Sequence, residues 1–229
     1  MKNLKLYIPL VALLAFTACK KSFLDTEDVT SATEQNFYKT PDDAYKALVG
    51  VYDGMQRLYA GGFALPVAAE VMSDDLFGGG GASDGLGLQM IDEFDKLRSP
   101  SDQALYGDNW SNYYKAIYRA NMLLTHLDQV NWKGKESLRN IYEAETRFIR
   151  AYCYFDMVRL CGNVPLLTKP TTDNVPQTPA DIVYNLIATD LQFAATNLPA
   201  TGYGAQDPST HGRVTKWAAE SSLGRVFLY

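Results

Sequence analysis

The segment Ser137–Gly162, SLRNIYEAETRFIRAYCYFDMVRLCG, carries the strongest helical pattern of the chain. Its apolar residues recur at steps of three and four, which places them along one stripe of an α-helix. A second apolar edge runs beside that stripe, so the helix is predicted to be buried on more than one side. The stripe comprises Ile141, Ala144, Phe148, Ala151, Phe155 and Val158, and the edge comprises Leu138, Ile149 and Tyr152.

The residues around this stripe predict the end and the surroundings of the helix. Gly162 is expected to end it as the C′ residue, and Pro165 follows where a helix could not continue. Glu143 and Arg147 are spaced as an i, i+4 pair with the acid first, which predicts an exposed ion-pair row on the outer face. The stripe also contains small residues that let a neighbouring helix approach. The segment therefore indicates one member of a packed helix array.

Other segments predict further helices with recognisable ends. Thr40-Pro41 opens a helix that Gly61-Gly62 would end, and Asp108 is a candidate N-cap for a block that forms an αα-hairpin with the Ser137 helix. Thr178-Pro179 opens another helix, which stops at Leu198-Pro199, and Thr215 begins the last one. The Asp108 block places Trp110, Tyr114, Ile117, Asn121 and Leu124 at helical spacing. Paired helices in succession predict an all-α fold of tetratricopeptide-like helix pairs with long irregular loops, although the spacing is looser than a strict repeat.

Between Pro66 and Tyr106 the helical periodicity fails. The run SDDLFGGGGASDGLG predicts a long, flexible loop, and long loops without periodic structure are often functional. Its glycines do not fit the phosphate-binding motifs, and its acids do not match the EF-hand spacing. The loop from Ser73 to Leu97 is therefore the predicted ligand-contact region, with Asp74, Asp75 and Phe77 as candidates. In the alternative interpretation Asp74 caps a turn and Phe77 packs.

The composition limits the classes of function. The chain is 47% hydrophobic and 21% charged, which is typical of a globular protein, and its net charge of −5 argues against nucleic-acid binding. With two histidines and no C-x-x-C or H-x-x-x-H motif, no zinc site and no cofactor are predicted. Cys153 and Cys161 are separated by about 12 Å of helical rise, too far for a disulfide. Both are expected to be packed, reduced thiols.

The N-terminus, MKNLKLYIPLVALLAFTAC, has the pattern of a secretory leader, with two lysines before an apolar run too short for a membrane span. F-T-A-C at its end resembles the lipobox of bacterial lipoproteins. This resemblance implies a signal peptide over residues 1–18, cleavage before Cys19 and acylation of the Cys19 thiol. A lipidated tether over residues 19–39 would then hold the protein to a membrane by its acyl chains.

The C-terminus falls inside the predicted last helix. After Tyr229 there is no Gly, Pro or basic last turn, and Val226, Phe227 and Leu228 would lack an apolar partner. The sequence therefore predicts a chain that is cut short. Residues 40–229 would be an incomplete helical domain.

Three segments together resemble one family. They are C-K-K-S-F-L-D from Cys19, A-E-T-R-F-I-R-A-Y-C-Y-F-D-M-V-R-L-C-G-N-V-P-L from 144 to 166, and G-R-V-T-K-W-A-A from 212 to 219. These segments are similar to those of the SusD-like (RagB/SusD) nutrient-binding lipoproteins of Bacteroidetes, of which the chain would be the N-terminal portion. The resemblance supplies no motif for ligand-contacting residues.

The resemblance implies a function and a location. It implies a surface-facing outer-membrane lipoprotein that partners a SusC-like TonB-dependent transporter and captures an oligosaccharide or another small nutrient. One departure concerns orientation, because Lys20 and Lys21 follow Cys19 where surface-exported relatives have acids.

The sequence also bears on two other classes of function, catalysis and protein binding. Adjacent acids such as Asp74 and Asp75, or Asp92 and Glu93, do not establish the spacing of two glycosidase carboxylates, and no Ser/His or Cys/His set is present. The sequence therefore predicts a protein that is not an enzyme. The alternative function is a helix-repeat protein-interaction scaffold anchored to the envelope.

Overall fold

The computed structural model describes residues 36–59, 69–73, 75–81, 83–95 and 105–229, and its helices lie in one unit, Tyr38–Tyr229. Helices predominate in these residues, which confirms the predicted all-α class. The helices are α1 (Pro41–Arg57), α2 (Leu86–Asp92), α3 (Leu105–His126), α4 (Glu136–Cys161), α5 (Ala180–Asn197) and α6 (Lys216–Val226), with short 3₁₀ turns at Leu127–Gln129, Tyr203–Ala205 and Pro208–Thr210. Strands β1 (Val164–Pro165) and β2 (Gln177–Thr178) form an antiparallel pair.

Helix α4 is the central element of the array. It packs against α1, α3, α5 and α6. Ala144 and Ala151 are completely buried, and Phe148, Phe155 and Val158 of the same predicted stripe are buried as well. Burial of this helix on more than one side is therefore confirmed.

Consecutive helices pack as pairs around α4. Helix α3 packs against α4, which confirms the predicted αα-hairpin, and α5 packs against both α4 and α6. Helix α1 lies against α3 and α4. This arrangement confirms the tetratricopeptide-like pairing expected from the sequence.

Several helix ends form as their residues predict. Thr40 and Asp43 make a capping box at the start of α1, in which the Thr40 Oγ1 accepts from the Asp43 N–H (3.2 Å) and the Asp43 carboxylate accepts from the Thr40 N–H (2.9 Å). At α6 the Thr215 hydroxyl accepts from the Ala218 N–H at 3.2 Å. Gly162 ends α4 with a φ of +70°, which a residue without a Cβ adopts at no steric cost. Helix α1 itself ends at Arg57, and the predicted Gly61-Gly62 end lies outside the described residues.

The start of α3 corrects a sequence prediction. The helix begins at Leu105, so Asp108 lies inside it and is not its N-cap, which must have non-helical backbone angles. The predicted stripe forms only part of the buried face, because Ile117 and Asn121 are buried but Trp110 is 37% exposed, and other residues of α3 complete the core face. That face comprises Tyr113, Ala116, Ile117, Ala120 and Leu123. Adjacent large apolar residues such as Tyr113 and Tyr114 gave two overlapping stripes, and periodicity alone could not separate them.

The predicted ion pair of Glu143 and Arg147 forms, but the prediction that it is exposed is wrong. Glu143 is buried, and the Arg147 Nη2 lies 2.7 Å from its carboxylate. Arg147 also contacts Asp190 of α5 at 3.1 Å, and Asp190 is completely buried. The pair belongs to the α4–α5 interface because the packing of α5 covers this face of α4.

Two smaller predictions need correction. Cys153 is buried as expected, but Cys161 is exposed because it is the last residue of α4. Val226 is buried and therefore has packing partners, whereas Phe227 and Leu228 are exposed.

A buried ion pair joins two of the segments on which the family resemblance rests. Arg213, from the G-R-V-T segment, donates two hydrogen bonds to the carboxylate of Glu145, from the A-E-T-R segment, at 3.0 and 2.5 Å. The Tyr52 hydroxyl of α1 donates to the same carboxylate at 2.6 Å and accepts from the Val214 N–H at 2.9 Å. These contacts hold α1, α4 and the segment before α6 together.

Candidate functional site

The structure describes two of the three ligand-binding candidates in the predicted loop. Asp75 is exposed, and its N–H donates to the Ser73 Oγ at 3.3 Å. Phe77 is 87% exposed, which excludes the alternative in which it packs. Asp74 and the predicted lipidation site Cys19 lie outside the described residues. The assignment of all four as site residues remains a prediction.

The loop is more ordered than its composition predicts, because it contains α2. The Gly78 N–H donates to the Asp92 carboxylate at 2.9 Å. The Gln89 side-chain amide donates to the carbonyls of Gly81 (2.7 Å) and Asp84 (2.6 Å). Seven residues are too few for a clear helical period, which is why the sequence did not indicate this helix.

Close packing explains one of the loop glycines. A Cβ placed on Gly78 would lie 2.6 Å from the backbone N and Cα of Gln89, a distance that atoms do not tolerate. The loop therefore passes against α2 at a point where only glycine fits. Part of the glycine-rich run thus serves packing rather than flexibility.

A cleft lies where the residues after α1 and the segment before the loop meet α4. It encloses about 420 Å³, within the usual range for a small-ligand site. We call it the tyrosine cleft, and it is lined by Tyr59, Ala69, Met72, Tyr152, Asp156, Arg159 and Leu160. Asp75 and Phe77 are not among these lining residues, so the cleft is distinct from the candidates predicted in the loop.

The helical repeat of α4 brings the polar residues of the cleft to one face. Tyr152, Asp156 and Arg159 follow one another at steps of four and three. Tyr59 reaches the same place from the turn after α1, and its hydroxyl is hydrogen-bonded to that of Tyr152. Tyr59 remains 42% exposed, so its ring is accessible to a ligand.

Asp156 is fixed beneath the cleft by two partners. It accepts from the Tyr113 hydroxyl at 3.0 Å and from the Arg159 guanidinium. Burial raises the pKa of Asp156 above its usual range, although Arg159 and Tyr113 act in the opposite direction. Arg159 in turn lies 4.3 Å from the centre of the Phe155 ring, in a cation–π contact. The partners therefore hold both charged groups in fixed positions.

The chemistry of the cleft suits a ligand with many hydroxyl groups. Burial raises the pKa values of Tyr59 and Tyr152, so both phenols stay neutral and can donate and accept hydrogen bonds. Their rings supply apolar faces, and Met72 and Leu160 extend the apolar wall. Aromatic faces combined with a few oriented polar groups are typical of sites for small polar ligands such as sugars.

Sequence reasoning missed the four principal cleft residues. The sequence predicts Tyr152 on an apolar edge of α4, and it gives no separate signal for Asp156, Arg159 or Tyr59. A signal was present in the spacing of Tyr152, Asp156 and Arg159 along one side of α4. Tyr59 could not be found in this way, because its proximity to α4 depends on the packing of α1 against α4.

The described residues also bear on metal binding and on membrane crossing. They contain no cluster of three His, Cys, Asp or Glu side chains arranged to hold a metal ion. No helix within the described ranges has the length and apolar character needed to cross a membrane.

Comparisons with known proteins agree with the fold. A SusD-like family model described as "Starch-binding associating with outer membrane" matches residues 87–228. "SusD-like protein P25" of Formosa agariphila is 28% identical over 95% of this chain and 41% of its own length. A "SusD-like protein" of Bacteroides ovatus is 29% identical over 100% of this chain and 39% of its own length.

Solved structures show the same relationship. A "Laminarin binding SusD-like protein" is 37% identical, with a TM-score of 0.72 over 84% of this chain and 41% of that protein. "Surface glycan-binding protein A from Bacteroides uniformis" is 27% identical, with a TM-score of 0.72 over 83% of this chain and 42% of that protein.

The matched relatives and structures are longer than this chain. It spans about two fifths of the length of the relatives and structures that it matches. The family model covers more than half of the chain, including α3, α4, α5 and α6. The packed helix pairs around α4, the agreement with solved structures and this match together show that the chain belongs to the SusD-like family.

Proposed function

We propose that the protein is a non-catalytic glycan-binding lipoprotein of the outer membrane, and that the tyrosine cleft contributes to its oligosaccharide site. The cleft carries the proposal, because two tyrosine rings, a carboxylate and a guanidinium line it together. Support also comes from the family description, which names starch, and from similar structures named for laminarin and for surface glycans. A laminarin oligosaccharide is therefore the first ligand to test.

The chemistry of the cleft favours binding over hydrolysis. A glycosidase needs two carboxyl groups placed on either side of the scissile bond. Among the described residues that line the cleft, Asp156 supplies the carboxyl group, and Tyr113 and Arg159 already engage it. This environment suits a fixed hydrogen-bonding group rather than a proton donor paired with a nucleophile.

We further propose that the protein is anchored by acylation of Cys19, faces the cell surface and delivers its ligand to a SusC-like TonB-dependent transporter. The lipobox-like sequence before Cys19 and the polar segment after it support the anchor. A Cys19→Ser variant tests this part, since it should leave the membrane fraction in high salt. Copurification of a TonB-dependent barrel from detergent-solubilised outer membrane tests the partnership, whereas recovery of unrelated proteins alone would favour the scaffold alternative.

A panel of oligosaccharides that includes laminarin fragments tests the non-catalytic function. Calorimetry should show binding, with a dissociation constant on the order of micromolar to millimolar, because an open cleft buries little ligand surface. Chromatography of the same mixtures should show unchanged sugars. Product that increases with protein concentration and disappears in an Asp156→Asn variant would contradict the proposal.

A further inference from the structure

A groove between α1 and α3 concentrates positive charge in a chain whose net charge is −5. It encloses about 310 Å³ and shares no lining residue with the tyrosine cleft. We call it the cationic groove, and it is lined by Gly54, Arg57, Asn112, Lys115 and Arg119. Three of these five residues have cationic side chains.

The two helices place these residues by their spacing. Asn112, Lys115 and Arg119 lie at steps of three and four on α3 and therefore share one face. Gly54 of α1 is buried against that face, and a Cβ there would lie 3.1 Å from the Ala116 Cα and 3.4 Å from the Arg119 Cδ. The absence of a side chain at Gly54 thus leaves the space in which Arg119 lies.

Asp53 balances only part of the positive charge. The Arg57 Nε donates to the Asp53 carboxylate at 3.0 Å. The Arg119 Nη1 donates to the same carboxylate and to the Gly50 carbonyl at 2.8 Å. Lys115 has no ion-pair partner within the described part of the chain. Two of the three cationic groups therefore pair with the Asp53 carboxylate, and that carboxylate does not pair with the third.

The contacts of the two arginines leave donors available. Arg119 uses its Nη1 to join α3 to α1, and Arg57 uses its Nε. The other guanidinium nitrogens make no hydrogen bond to the described residues. The side chains of Arg57 and Arg119 are 62% and 38% exposed, so solutes can reach them. Linking α1 to α3 therefore uses only some of the N–H donors of Arg57 and Arg119.

We propose that the cationic groove binds an oxyanion, a sulfate or carboxylate group, through Lys115 and the remaining N–H donors of Arg57 and Arg119. Guanidinium groups present planar pairs of donors that match such oxygens, and the lysine adds a mobile point charge. The side-chain amide of Asn112 offers a further donor at the same wall.

Thermal unfolding of the purified protein tests this site. Sodium sulfate and sodium acetate are the probes, each compared with sodium chloride at matched ionic strength. A bound anion raises the melting temperature as its concentration exceeds the dissociation constant. Lys115→Gln and Arg57→Gln should each raise the dissociation constant for the anion about tenfold, since each loses a charge-assisted contact. The anion concentration needed for a given rise in melting temperature should increase by the same factor.

Lys46→Gln is the matched control. Lys46 lies on α1 in an exposed pair with Asp42, and it does not line the groove. Sulfate also stabilises proteins by exclusion from their surface, and that effect should be equal in all variants. A response to either probe that depends on Lys115 and Arg57 supports the site. Equal responses in all four folded proteins, checked by circular dichroism, would overturn it.

Discussion

At the scale of single residues, buried charges decide which segments of the chain meet. Glu145 is 2% exposed and receives hydrogen bonds from Arg213 and Tyr52, which lie far from it in sequence. Arg150 likewise donates to Asp190 of α5 at 2.8 and 2.9 Å and to Asn121 of α3 at 2.8 Å. Both of these buried charges are paired, and their contacts join α4 to α1, α3, α5 and the segment before α6.

We predict that Glu145→Ala strongly destabilises the fold. The change leaves Arg213 largely buried without its partner, and loss of one member of such a pair costs about 3 kcal/mol. Glu220→Ala is the control, because Glu220 forms an exposed pair with Lys216 that contributes roughly 0.5 kcal/mol. Urea denaturation measures both, and equal midpoints would show that the Glu145 pair is not structural.

Asp156 should give the protein a specific pH dependence. Its pKa in the folded state is raised, so between the ordinary value of about 4 and the raised value the folded state holds a proton that the unfolded state releases. The contribution of this group to stability therefore falls as the pH rises through that window.

We expect Asp156→Asn to remove this dependence. Denaturation from about pH 4 upward should show wild-type stability falling relative to the variant. Only the difference between the two slopes is diagnostic, because burial also raises the pKa of Glu145, which lowers stability over the same pH range. Parallel slopes would mean that Asp156 titrates at its usual pKa when folded.

At the scale of elements, the loop before α3 depends on its contact with α2. We predict that Gly78→Ala separates the residues before α2 from that helix, because the added Cβ would lie 2.6 Å from the Gln89 backbone. Gly81→Ala is the matched control, since a Cβ there meets nothing within 4 Å. Hydrogen exchange over residues 75–95 should accelerate in the first variant only. Unchanged exchange in both would mean that the loop does not rest on α2.

The elements that the sequence predicted are those with long apolar periods and clear ends. Helices α1, α4, α5 and α6 have such patterns, with caps at Thr40 and Thr215 and a stop at Gly162. Helix α2 was too short to show a period, and the start of α3 was misplaced. The prediction that Glu143 is exposed is also wrong, because burial of an ion pair depends on the helix that covers it.

The candidate site was less predictable than the fold. A long loop rich in glycine and acids favoured Asp75 and Phe77, which are exposed, whereas the tyrosine cleft forms where α4 meets residues distant in sequence. Tyr152 and Asp156 are on a helix whose periodicity is dominated by packing, so their polar groups did not stand out. Only the packing of α1 against α4 brings Tyr59 to them.

At the scale of the whole molecule, the tyrosine cleft and the cationic groove differ in the ligands that they suit. The tyrosine cleft offers aromatic faces and hydroxyl groups, and the cationic groove offers positive charge. Both depend on helix packing within the unit Tyr38–Tyr229. A neutral oligosaccharide fits the first and an oxyanion the second, so the two proposals can fail separately.

The central claim is that the tyrosine cleft binds glycan, and calorimetric titration with a laminarin oligosaccharide tests it most directly. Tyr152→Ala removes a ring that lines the cleft, so it should weaken binding at least about tenfold. Tyr118→Ala removes an exposed tyrosine of α3 that does not line the cleft, and it should leave the affinity unchanged. No measurable binding by the wild-type protein, or equal affinity in the wild type and Tyr152→Ala, would contradict the account.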